Sequence, residues 1–120
     1  MLADQLRQAG FVGVEVAGPG RVFARAEGPD SPEFLAEARD GGWRFSLTHA
    51  VRVGKLAMDE WNARNPAARI DVDTGETRLT LDLPPEPSAA DLILWAGLAE
   101  SFVQHALAWR RARRAAGEGM

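Results

Sequence analysis

The spacing of apolar and polar positions predicts a helix and two strands near the start of the chain. Residues 2–9 have the spacing of a short amphipathic helix, which Gly10 ends. Residues 12–16 and 21–27 alternate with a period of two, and Gly-Pro-Gly at 18–20 predicts a turn between them. We expect the second strand to turn its small apolar side chains inward, namely Val22, Ala24 and Ala26.

Residues 33–39 fit either a helix or a strand. Their alanine, leucine and glutamate favour a helix by propensity, but their apolar positions also alternate. Residues 43–47 alternate as well, and the glycine-containing connection at 40–42 is typical of a hairpin. We therefore predict two hairpin strands joined by a three-residue connection.

The spacing changes to the helical period after these strands. Apolar side chains recur every three or four residues as far as Trp61, and the opposite face is charged. Thr48 has a side chain suited to an N-cap, and Asn65-Pro66 ends the helix because the residue before a proline avoids the α region. The pattern predicts a helix that starts at Thr48 and ends at Asn65.

Residues 69–83 are typical of a hairpin with one apolar face. A two-residue loop at Thr74-Gly75 predicts these cross-strand pairs: Ile70 with Leu79, Asp71 with Arg78, and Asp73 with Glu76. The first pair faces the core and the second is a favourable pair of opposite charges. The third sets two acids against each other, which leaves a wider loop open.

A stiff proline-rich connector, residues 84–87, precedes a long C-terminal helix. Ser88 and Asp91 form a variant of the N-terminal capping pattern, with aspartate in place of glutamate. The helix is predicted to run to about Arg114, followed by a disordered tail at 115–120.

The apolar surface of this long helix is wider than one neighbour covers. Its main stripe is Leu92, Trp95, Ala96, Ala99, Phe102, Val103 and Ala106. Off that stripe lie Leu94, Leu98 and Trp109, which we take as candidate interface residues because aromatic and aliphatic anchors favour protein contacts. The alternative, that the N-terminal helix covers them, stays open.

These elements predict an α+β fold in a single domain, residues 1–120. The expected architecture is a twisted antiparallel β-sheet with the two longer helices packed on one face. A chain of this length buries enough surface to fold without staples.

The composition excludes several classes of function but does not identify one. The 120 residues carry a net charge of −3, no cysteine and two histidines. The absence of cysteine excludes a disulfide scaffold, a thiolate nucleophile and a cysteine zinc site. The N-terminus lacks a signal sequence and no apolar run would span a membrane, so we expect a cytoplasmic protein without membrane contact. The negative charge argues against nucleic acid as a partner.

Candidate chemistry is sparse along the chain. His49 and His105 titrate near neutrality, but neither has an acid at a fixed short offset, so we assign no catalytic residue. Residues 71–76 superficially resemble a calcium loop, yet the glycine comes one position early and a ligand is missing. We therefore expect no metal and no cofactor. The arginine run at 110–114 suits a helix C-terminus, where cations complement the helix dipole.

Three stretches carry a family resemblance. They are the helix end at 58–65 with its two asparagines, the hairpin at 69–81, and the closing helix with Leu98, Phe102 and Leu107. Residues 50–108 thereby resemble the YbjN family of bacterial proteins, described as regulators of sensory transduction. The order helix, strands, helix, hairpin and long helix is similar to the type III secretion chaperone-like fold, which implies dimers that hold partner chains.

The leading hypothesis is therefore a non-enzymatic, cytoplasmic protein-binding or regulatory domain, chaperone-like and homodimeric. The protein that it binds is not identified by the sequence. The alternative is a small-ligand-binding protein or an enzyme, with a pocket between sheet and helices that uses His49, His105 or an arginine.

Overall fold

A six-stranded antiparallel sheet carries the helices on one face in the computed structural model, which describes residues 2–28, 31–73 and 75–118. The sheet order is β1-β2-β3-β4-β6-β5. The elements are α1 Leu2–Gln8, β1 Val12–Val16, β2 Arg21–Arg25, β3 Glu33–Arg39, β4 Gly42–His49, α2 Lys55–Arg64, β5 Arg69–Asp73, β6 Glu76–Leu83 and α3 Ala89–Glu118. The predicted α+β class, with the two longer helices on one face of a twisted antiparallel sheet, is confirmed.

The ambiguous segment 33–39 is strand β3, as the alternation indicated. Phe34 and Ala36 point into the core, and they pair with Ala24 and Val22 of the neighbouring strand, whose inward orientation is also confirmed. Val16 in β1 is 50% exposed, because β1 is the edge strand and a bulge shifts its register. Pairing on both sides explains why strand geometry prevails over helix propensity at β3.

The connection between β3 and β4 is shorter than predicted. Arg39 pairs with Gly42, so the turn is the two residues Asp40-Gly41 rather than three. Gly42 is the first residue of β4, and a Cβ there would lie 2.0 Å from the carbonyl oxygen of Leu83. The glycine is thus needed for close approach of the next segment rather than for the turn alone.

The β5–β6 hairpin has the predicted register. Ile70 pairs with Leu79, and Asp71 pairs with Arg78. Asp73 and Glu76 also pair, so the wider loop considered for this hairpin is wrong; its residue 74 lies outside the described part of the chain. Because Ile70 and Leu79 are fully buried, a slip of one residue would expose the apolar face, and this holds the register.

The helix predicted from Thr48 begins later, at Lys55. Thr48 and His49 are the last residues of β4, so Thr48 is not an N-cap; the N-cap position is Gly54, which has no side-chain cap. The predicted end is confirmed, since α2 stops at Arg64 with Asn65 as C-cap. Apolar residues between Ala50 and Gly54 match a helical spacing by coincidence.

Thr77 explains the late start of α2. Its hydroxyl donates a hydrogen bond to the Val51 carbonyl and accepts one from the Val53 N–H at 3.3 Å. Val51 and Val53 are buried while Arg52 is exposed, the alternation of an extended segment. A single buried hydroxyl therefore supplies the hydrogen bonds that a helix would otherwise provide there.

Aromatic contacts join α3 to the sheet and to α2. Trp95 of α3 meets Phe34 and Phe45 edge to face, with ring centroids 5.4 and 5.5 Å apart. Phe102 of α3 lies 6.5 Å from Trp61 of α2 in the same kind of contact. These contacts fix α3 over the middle of the sheet and α2 beside it.

The start of α3 is as predicted, but its end is not. Asp91 N–H donates to the Ser88 hydroxyl and Ser88 N–H donates to the Asp91 carboxylate, which completes the capping box. The helix runs to Glu118, so residues 115–118 are helical rather than a disordered tail; 119–120 lie outside the described residues. Thirty residues at a rise of about 1.5 Å give α3 a length of about 45 Å.

Candidate functional site

An apolar groove runs along α3, between this helix and the elements beside it, which include β3. Phe11 and Phe34 line it on one side, Val103 and Leu107 on the other, and Trp95 contributes to its floor. Its volume is about 790 Å³. Its walls come from α3, from β3, from the segment after α1 and from the connection between β2 and β3, so several elements of the fold must pack together to form the groove.

The α3 wall of the groove is an apolar stripe that no other part of the described chain covers completely. We call Ile93, Ala96, Val103 and Leu107 the open flank of α3. Ile93 is 71% exposed and Leu107 is 42% exposed, whereas Ala96 and Val103 are half-buried. Neighbouring exposed apolar side chains above a buried aromatic floor are typical of a protein-binding surface.

Acidic side chains border this apolar surface. Glu27 and Glu100 are exposed and both line the groove. A smaller cavity of about 210 Å³ continues the groove past Ile93 and Ala96, and Glu27 lines it too. A ligand with an apolar stripe and a basic end matches this distribution of charge.

The three predicted interface residues lie on the other side of α3, where one is buried, one is half-buried and one is exposed. Leu98 is 7% exposed and belongs to the core, so it does not contribute to a free surface. Trp109 is half-buried, with its ring 6.5 Å from Phe102. Leu94 is 42% exposed. We call Leu98, Phe102 and Trp109 the closed flank of α3.

The open flank was missed because its members look ordinary one by one. Val103 and Ala96 were assigned to the core stripe, and Ile93 was not singled out. The signal that would have found the flank is the spacing of Ile93, Ala96, Glu100, Val103 and Leu107, alternately three and four residues apart. The spacing alone does not show that the other described elements leave this stripe partly exposed.

The two histidines do not form one site. His49 is half-buried at the end of β4, and its Nδ1 has no hydrogen-bond partner among the described residues. Burial lowers the pKa of His49 below its ordinary value, and the positive charge of Arg110 lowers it further. His105 is exposed on α3, and its Nδ1 lies 2.8 Å from the Ser101 carbonyl oxygen of the same helix.

The outer face of the sheet carries an array of surface ion pairs. Arg44 donates from Nε and Nη2 to the Asp82 carboxylate at 2.9 and 3.3 Å, which lowers the pKa of Asp82. Arg69 pairs with Asp71 at 3.2 Å. These side chains line a polar hollow of about 540 Å³. Arginines that already hold carboxylates on an exposed face are typical of a solvated surface.

Among the described residues, the other features that the sequence singled out do not line the groove. Asp71 is on the exposed face of β5, and the structure, over the residues it describes, brings no three metal-ligating side chains together. Arg110 is half-buried and Arg111 exposed, and the side chains of Arg113 and Arg114 lie outside the described part. The predicted place of this arginine run at a helix C-terminus is wrong, because α3 continues to Glu118 and its last turn holds no basic residue. None of the helices in the described ranges is long and apolar enough to cross a membrane.

Nothing matches this chain among protein-family models, curated proteins or solved structures.

The site must therefore be interpreted from its own chemistry. Neither histidine is among the described residues that line the groove. The groove offers aromatic and aliphatic side chains that gain free energy when they leave water, together with two carboxylates that attract cations. This arrangement suits binding of an amphipathic polypeptide segment.

Proposed function

We propose that this chain is a non-enzymatic, protein-binding domain of a chaperone-like, regulatory kind that forms a homodimer in the cytoplasm. The groove holds an apolar polypeptide segment against α3. The observation that supports this most is the exposure of Ile93 and Leu107 directly beside a groove lined with aromatic rings.

The energetics favour a polypeptide helix as the bound segment. Full burial of an aliphatic side chain contributes roughly 1.5–3 kcal/mol, and the open flank exposes two such side chains. An amphipathic helix lays its apolar face into a groove through anchors three and four residues apart, the spacing that the open flank itself has. Glu27 and Glu100 favour a segment with basic residues next to its apolar face.

The resemblance to the YbjN family and to type III secretion chaperones agrees with this proposal. Asn62, in one of the stretches that carry the resemblance, bridges α2 to the edge strand β5. Its side chain accepts a hydrogen bond from the Ile70 N–H at 2.8 Å and donates one to the Ile70 carbonyl at 3.2 Å. Because Asn62 occupies the free edge of β5 at this point, strand addition is disfavoured there and the helical groove is the better docking surface.

Protection of a test protein from aggregation measures this function. Light scattering of a thermally unfolding test protein is followed with the wild-type chain, with Leu107→Glu and with Leu56→Glu. Leu56 is the matched control, since it is 74% exposed on α2 and does not line the groove. We expect wild type and Leu56→Glu to delay aggregation equally and Leu107→Glu to lose most of the effect. Equal protection by both variants, or none by wild type, would contradict the proposal.

A further inference from the structure

The open flank of α3 has the properties of a surface that pairs with itself. Ile93, Ala96, Glu100, Val103, Leu107 and Arg110 follow one another at alternate spacings of three and four residues. This is the a/d spacing of helices that pack side by side. A two-fold interface requires one patch to be complementary to itself, and here the α3 wall of the groove also carries the side chains that would fill it.

Charge favours an antiparallel arrangement. The N-terminal part of the open flank lies beside Glu27, which lines the same small cavity as Ile93 and Ala96. The C-terminal part leads into Arg110 and Arg111. When two copies of α3 run in opposite directions, the basic end of each lies at the acidic end of the other. A parallel arrangement would place like charges together.

The length of α3 favours the same arrangement. The helix is about 45 Å long, whereas β4 with its eight residues spans about 26 Å, so α3 is several turns longer than the strand on which it packs. In an antiparallel pair, these turns reach along the N-terminal part of the partner helix and its groove.

We propose that the groove is occupied by α3 of a second copy of this chain, antiparallel, with Leu107 of one copy packed on Ala96 of the other. In this register Glu100 lies opposite Val103, and Ile93 lies opposite Arg110, which brings that arginine next to Glu27. A large side chain then meets a small one at both ends of the contact, and Ile93 and Leu107 of both copies leave water. The inference rests on the proposed function, because it names the occupant of the same groove.

The pairing has a consequence for binding of other proteins. A foreign apolar segment and the second α3 compete for one groove, so the groove of the dimer is not free to bind other proteins. Protection from aggregation should therefore decrease, per chain, as the protein concentration rises through the dimerisation range.

Cysteine cross-linking tests the pairing, since the natural chain contains no cysteine. Ala96→Cys and Leu107→Cys, carrying different tags, are oxidised separately and as a mixture. A disulfide needs Cα atoms about 4.4–6.8 Å apart, and in the proposed register two copies of position 96 are separated by eleven residues, or about 16 Å along the helix. We expect a cross-linked product only in the mixture. The control is Leu56→Cys, which should give none.

Two other outcomes would overturn the pairing. Products from each variant alone indicate a parallel or shifted arrangement, and a mixture that forms no more product than Leu56→Cys indicates that no second α3 occupies the groove. If protection from aggregation still depends on Leu107 in the latter case, the pairing fails while the proposed function stands.

Discussion

The two flanks of α3 are both apolar, but only the closed flank is packed against other parts of the described chain along most of its length. On the closed flank, Phe102 is fully buried and lies 6.5 Å from both Trp61 and Trp109. On the open flank, Ile93 and Leu107 line a groove and remain 71% and 42% exposed. The apolar positions of a helix therefore predict how much of its surface is apolar. Which part of that surface is buried within one chain depends on the elements that pack on the helix.

The largest effect is expected on the closed flank. Phe102→Ala should reduce the free energy of unfolding by about 3–5 kcal/mol, because it leaves a cavity between two tryptophans. Urea unfolding measures it. Leu107→Ala on the open flank, measured below the dimerisation range, should stay within about 1 kcal/mol of wild type, since its side chain is 42% exposed in the single chain. Similar losses for the two variants would remove the distinction between the flanks.

A smaller effect is expected at Thr77, which holds segment 51–53 by hydrogen bonds. Thr77→Val should lower the free energy of unfolding by about 1–3 kcal/mol, because the buried Val51 carbonyl and Val53 N–H lose their partner. Thr77→Ser keeps the hydroxyl and is the control. If the valine variant is as stable as the serine variant, the hydroxyl does not hold segment 51–53 extended.

Additional methyl groups should act in opposite directions on the two sides of α3. Gly97 lines the groove, and a Cβ there would meet nothing within 4 Å, so Gly97→Ala should stabilise the chain by about 0.5–1 kcal/mol. Ala106 is fully buried, and Ala106→Val should destabilise it by about 1–3 kcal/mol through overpacking. Thermal unfolding of both variants tests the contrast, and a stabilising Ala106→Val would show that the covered side is loosely packed.

The smallest effect concerns the pH dependence of stability through His49 at the end of β4. His49 has a lowered pKa in the folded chain, chiefly through burial and further through Arg110, so its unfolded form binds more protons. The stability that neutral His49 permits is present above the unfolded pKa of about 6.5 and is lost as the pH falls below it. Wild type should lose more stability than His49→Gln between neutral and mildly acidic pH, measured by urea midpoints. An identical pH dependence would contradict the assignment.

Local patterns predicted most of the sheet correctly. The β5–β6 register followed from Ile70 and Leu79, because a period of two leaves only one phase that buries both. The segment 33–39 was resolved in favour of a strand by its alternating neighbour. The capping box at Ser88 and Asp91 marked the start of α3, since its hydrogen bonds are local.

Predictions failed where a distant residue decides the outcome. The start of α2 depends on Thr77, more than twenty residues away in the chain, so a helical spacing at 50–54 was misleading. Helical spacing left open whether Leu98 is an interface residue or is covered within the chain, because spacing does not show which elements pack on α3; Leu98 lies in the core. For the same reason, the open flank became visible only when the strands and α3 were seen together.

The solution mass of three proteins tests the role of the open flank most directly. Static light scattering after size exclusion, over a range of concentrations, is applied to wild type, Leu107→Glu and Leu56→Glu. A self-pairing open flank predicts dimers for wild type and Leu56→Glu and a monomer for Leu107→Glu, with all three equally folded by circular dichroism. A monomeric wild type, or a Leu107→Glu chain that remains fully dimeric, would contradict it.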